Sequence, residues 1–154
     1  MADGWWYSKL AHASSEPGAN LGEVMSAETN LLAGWVAIFL GFVAGAVPGL
    51  FFWMEDWLGG YGSWRRRLVR LAHISFFGLG FINVLFALSV PHLGLTAGAP
   101  LLGWSSVLLA GGVIAMPAVC YLSAWRQPFR NLFFIPVTCM VLGVGLFLWE
   151  GFLR

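Results

Sequence analysis

Charge is scarce in this chain of 154 residues: only 10% are Asp, Glu, Lys or Arg. None of the acidic side chains falls in the middle of a long apolar run, which argues against a proton or cation relay at mid-membrane depth. Cysteine is equally sparse. Cys120 and Cys139 lie in different apolar runs with no C-x-x-C spacing, so they carry no metal or redox signature. The chain has no H-E-x-x-H, no Ser/His/Asp set, no paired catalytic carboxylates and no glycine-rich phosphate loop followed by Lys, the patterns through which the common hydrolytic and nucleotide chemistries announce themselves. Residues Met1–Leu10 lack the basic start and apolar stretch of a signal peptide, and position 2 is not the glycine that myristoylation needs. Short segments of alternating polarity, the mark of a membrane β-barrel, are missing as well.

Apolar residues are abundant. They make up 59% of the chain, and the mean hydropathy is +0.79. A soluble domain of this size has too high a surface-to-volume ratio to keep so much apolar area from water. About 20 consecutive apolar residues are needed to cross a hydrocarbon core roughly 30 Å thick, and four runs qualify: Leu31–Trp53, Leu68–Val90, Leu101–Trp125 and Leu132–Phe152. The expected fold class is therefore an all-α membrane protein, with a tail over residues 1–28 and a transmembrane domain over 29–154. Short connections between successive spans imply an antiparallel up-down-up-down four-helix bundle.

The arginines predict its orientation. Arg65, Arg66, Arg67 and Arg70 lie around the start of span 2, and Arg126 and Arg130 follow span 3. The opposite side holds only Lys9 and Arg154, and the 91–100 connection has no basic residue. Basic loops stay in the cytoplasm during insertion, so both termini are expected outside. In the tail, Asp3, Glu16, Glu23 and Glu28 outweigh Lys9, which suits translocation. Ser26 is a candidate cap for the first span. Arg65, Arg66, Arg67 and Arg70 read as contacts to phosphate headgroups, not to nucleic acid. Trp5, Trp6, Tyr7, Trp53, Trp57, Trp64, Trp125 and Trp149 fit an interfacial belt, and Glu150 is expected to reach headgroup water.

Within the spans, Ala33, Ala37, Gly41, Gly45 and Gly49 recur every four residues, a small-residue stripe suited to close helix packing. His73, Phe76, Gly80, Asn83 and Ala87 share a face of span 2. The Asn83 amide needs partners on a neighbouring helix. Pro48, Pro117 and Pro136 fall at about the depth of His73, suggesting an irregular layer able to hold a ligand, waters or lipid.

The expected role is an accessory or scaffolding subunit of a larger membrane complex, such as an electron-transport complex. Its partners would be membrane lipids and other integral membrane subunits, in a bacterial inner membrane. An alternative is an electron-transfer subunit with His73 as axial ligand to haem b or a chlorophyll-type pigment. Met116 on span 3 is the geometrically available second ligand. A small transporter is a further alternative, although Asn83 and scattered hydroxyls make a poor polar pathway.

Overall fold

The computed structural model describes residues 21–95 and 100–154, with side chains from residue 27 in the first stretch and from residue 101 in the second. Trp5, Trp6, Tyr7 and the centre of the 91–100 connection lie outside the described residues. Ser26 falls inside a helix that begins at Leu21, so it does not cap the first span as expected. Every regular element among the described residues is helical: α1 (Leu21–Leu50), α2 (Trp64–His92), α3 (Pro100–Trp125) and α4 (Phe134–Leu148). Short 3₁₀ helices cover Trp57–Gly59 and Gln127–Phe133, and a π turn covers Trp149–Leu153. Four segments are long and apolar enough to cross a membrane: Ala27–Leu50, Trp64–His92, Leu101–Trp125 and Gln127–Leu153. This is consistent with an integral membrane protein.

The ends of the helices differ from the apolar runs for local reasons. α1 stops at Leu50, and Phe51–Trp53 form turns. There the backbone tightens to three-residue bonds, Phe51 N–H to Pro48 O and Phe52 N–H to Gly49 O, both 3.2 Å. α2 begins at Trp64, four residues before the apolar run. Ser63 is the N-cap: its Oγ accepts from Arg66 N–H at 3.2 Å and donates to Leu58 O at 2.8 Å. Arg65, Arg66 and Arg67 are thus helical residues, not loop residues. Pro136 lies in the first turn of α4, where a missing N–H removes no helical bond. Pro117 is an interruption well inside α3, whereas Pro48 lies in the last turn of α1.

α1 packs most extensively on α2 and less on α3, while α4 packs on α3. The contacts between α1 and α2 pair Asn30 with Asn83, Gly34 with Gly80 and Val84, Gly41 with Phe77, and Gly45 with His73. Residue numbers rise along α1 as they fall along α2. A second core lies between α2, α3 and α4, where Phe86, Val90, Leu102, Leu109 and Met140 are buried together. Gly112 admits the Met140 thioether against its backbone. Ser105 Oγ donates to Gly143 O at 2.7 Å, joining α3 to α4. α1 and α4 form no extended contact with each other. The four helices are therefore a packed row with a triangle of α1, α2 and α3 at one end, not a closed square.

The small-residue stripe is only partly the packing face. Ala37 is buried, and Gly41 and Gly45 lie under Phe77 and His73. Ala33 turns toward α3, and Gly49 has nothing within 4 Å of the position a Cβ would take. The closest approach to the backbone of another helix is at Gly34, where a Cβ would lie 2.7 Å from Gly80 O and 2.6 Å from Val84 Cγ2. Helical geometry explains the shift. At 3.6 residues per turn, each four-residue step rotates the position by about 40°, so the stripe winds roughly 160° around α1 over its length. Gly34→Ala is accordingly expected to destabilise the protein by about 1–3 kcal/mol through overpacking, whereas Gly49→Ala is neutral. Reversible unfolding in mixed micelles measures both.

Candidate functional site

Polar atoms inside the spans concentrate at one level. Asn30 and Asn83 are both completely buried. Asn30 Nδ2 donates to Asn83 Oδ1 at 2.7 Å and to Ser106 O at 3.2 Å, while Ser106 Oγ donates to Asn30 Oδ1. Asn83 Nδ2 donates to Leu79 O at 2.9 Å and to Leu109 O at 3.2 Å. Each amide thus uses both N–H groups and its oxygen, as a buried amide requires. The result is a clasp that ties α1, α2 and α3 together. Asn83 is the amide whose need for a partner the sequence reveals. Asn30 escapes that reading because it precedes the first apolar run. The signal that finds it is position, since it lies one turn before Gly34 on the face packed against α2.

His73 sits lower on the same seam. Its Nδ1 lies 2.8 Å from Gly41 O. Since a carbonyl only accepts, Nδ1 is the donor in this bond. The Nδ1–Cε1–Nε2 edge of the ring rests on the backbone at Gly45, and Phe77 packs edge-on at 5.3 Å. These contacts make His73 a clamp between α1 and α2. Met116 is half-buried one turn beyond Gly112, whose face meets α4 at Met140. The packing around the two residues therefore involves different neighbours, α1 for His73 and α4 for the turn before Met116.

The arginines separate into different environments. Arg65 and Arg67 are exposed, whereas Arg66 is only 4% exposed. Its guanidinium lies 5.6, 5.8 and 5.4 Å from the ring centres of Phe52, Trp57 and Tyr61, and Nη1 donates to Glu55 O at 3.2 Å. Arg70 stacks on Tyr61 at 4.3 Å and donates to its carbonyl at 3.3 Å. Cation–π attraction of this kind gains strength as water is excluded. Arg66 consequently holds the 51–61 turn in place and is not available to a headgroup, a departure from the sequence reading. Glu55 and Asp56 form no ion pair with the arginines among the described residues; the one ion pair found there joins Arg154 to Glu150 at 2.7 Å. Glu150 is buried, and its Oε2 lacks a hydrogen-bond partner, so it does not extend into headgroup water as its terminal place suggests. It lies in the π turn, which rotates this carboxylate inward.

An apolar opening runs between α1 and α3, with Phe76 of α2 as its floor. It has two contiguous chambers of about 490 and 510 Å³ that share Leu40, Phe76 and Tyr121. The outer chamber reaches Thr29 and Ala33, and the inner one reaches Pro48, Leu58 and Val69. Pro48 lines the inner chamber and Pro117 the outer one. Neither chamber includes His73 or Met116. Beyond Leu58 a more polar basin of about 520 Å³ opens, bordered by Arg65, Ser63, Trp64 and Gln127. Leu58 borders both spaces and has a left-handed backbone, φ 56°, a conformation that costs a non-glycine residue about 1–2 kcal/mol. Phe76, Tyr121 and Leu58 read as ordinary apolar residues in sequence; only their convergence singles them out.

Comparison of the chain with protein-family models, with curated proteins and with solved structures finds no match. The site is therefore read from its own chemistry. Asn30→Ala and Asn83→Ala are each expected to cost about 0.6–1.7 kcal/mol, the range for hydrogen bonds between membrane helices. The double variant is expected to lose less than the sum, because each single change orphans the other amide and the double change breaks their shared bond only once. A double-mutant cycle in micelles or bicelles measures this coupling.

Proposed function

We propose that this protein is a non-catalytic subunit of a larger integral membrane assembly, inserted up-down-up-down with both termini outside. The observation that carries this reading is the division of labour on α1. Its inner face is joined to α2 and α3 by the amide clasp and by close contacts at Gly34, Gly41 and Gly45. Its outer face presents Leu32, Trp35, Phe39 and Phe42, all between 59% and 66% exposed. Their three-four spacing continues to Ala46, which is also exposed. That is the spacing with which one helix seats large side chains between those of another. In lipid such packing is driven by close van der Waals fit and not by hydrophobicity, so a regular ridge of large side chains is suited to a protein partner.

The intramembrane polar groups support the same reading. The amides of Asn30 and Asn83 and the hydroxyl of Ser105 are engaged in bonds between helices, which fits a framework component better than a conduction path. Arg65 and Arg67 on the side of the 51–63 turn, with Arg126 and Arg130 after α3, support the orientation. The compact connections fit a bacterial inner membrane.

A photo-crosslinking residue at Phe39 is expected to yield one discrete heavier species in native membranes, while the same residue at Val141 on the exposed side of α4 yields none. The partner in that species is then identified by mass spectrometry. Smears of equal intensity from both positions would show that the ridge faces only lipid. An impermeant thiol reagent added outside is expected to label a cysteine at Thr96 and to miss one at Gly62; the reverse pattern would invert the orientation.

A further inference from the structure

We propose that the inner chamber of the α1–α3 cleft and the adjoining basin form a single binding site for one anionic glycerophospholipid, with an acyl chain in the chamber and the phosphate at Arg65. The inference is independent of whether the protein joins a larger assembly.

The two spaces adjoin along two helices at once. Val69 borders the inner chamber and Arg65, one turn earlier on α2, borders the basin. Tyr121 borders the chamber, and Ala124 and Trp125, one turn later on α3, border the basin. Leu58 forms the shared wall. Moving toward the 51–63 turn, the lining therefore changes from apolar to polar within one helical turn. A molecule with a hydrocarbon tail joined to a polar head has this distribution.

Depth and charge narrow the choice. On α1 the inner chamber extends from Leu40 to Pro48, about 12 Å at 1.5 Å per residue. This matches the roughly 15 Å depth of one leaflet, half of a 30 Å hydrocarbon core. The chamber thus takes a chain from the leaflet whose headgroups lie level with the basin. The basin is bordered by Arg65, and none of its lining residues is acidic. Arginine binds phosphate oxygens through parallel N–H groups, which favours a phosphodiester over a neutral head. Arg66, the neighbouring cation, is turned away into its aromatic cage, so the charge at the basin belongs to Arg65. The ion pair at the other end of the fold, Arg154 with Glu150, supplies no such free cation.

The test uses full-length protein stripped of lipid in detergent and titrated with dioleoylphosphatidylglycerol, with bound lipid counted by native mass spectrometry. One lipid is expected to bind saturably. Dioleoylglycerol, which lacks the phosphate, and the variant Arg65→Ala are each expected to bind about tenfold more weakly. Val43→Trp, which narrows the chamber from an exposed position, is expected to weaken binding by a similar factor. Inorganic phosphate alone is not expected to compete, whereas efficient competition would mean that only an anion site exists. Arg67→Ala removes another exposed arginine, one outside the basin, and serves as the charge control. Equal losses for Arg65→Ala and Arg67→Ala, unsaturable binding, or wild-type binding by Val43→Trp would each overturn the proposal. Unchanged helical circular dichroism and a single monodisperse elution peak establish that each variant is folded.

Discussion

Two buried amides hold this protein together. In a hydrocarbon surrounding, an amide without partners is costly, and Asn30 and Asn83 satisfy each other while also reaching Ser106 and Leu109 on α3. Three helices are therefore tied at one level by bonds whose loss would leave polar atoms facing only apolar groups. Hydrophobic burial cannot do this work between helices, because lipid tails solvate leucine as well as a neighbouring helix does. The remainder of the packing follows the register that the clasp imposes.

With Asn30 opposite Asn83, Gly34 must meet Gly80, and Gly45 must receive the edge of His73. α1 is thereby pressed along α2 over much of its length. It packs less closely on α3, and Phe76 of α2 and Tyr121 of α3 line the opening left between them. The cleft is the geometric remainder of that choice. Its floor is aromatic, and its inner end is bordered by a turn held by Arg66.

That turn illustrates how charge is handled near the membrane surface. Of four arginines within six residues, one is enclosed by three aromatic rings, one stacks on a tyrosine, and two remain exposed. Ser63 secures the same turn from the helix side by capping α2 and bonding to Leu58. The left-handed backbone of Leu58 is sustained by this enclosure, since strain of that kind persists only where its surroundings over-determine it.

Much of the architecture was legible without coordinates. Four long apolar runs declare four helices, since only hydrogen bonds within a segment satisfy a backbone in lipid. The arginine distribution and the polar Asn83 were equally plain, because they depend on composition and order alone. Which glycines meet another helix was not legible: a four-residue repeat drifts around the helix, and the true contact moved to Gly34 and away from Gly49. Neither were the pairing of Asn83 with Asn30, the enclosure of Arg66 or the burial of Glu150. Each depends on which residues distant in the chain become neighbours. Local periodicity says which side of a helix is apolar or small; it does not say which neighbour that side meets, and the cleft and its basin exist only through that pairing.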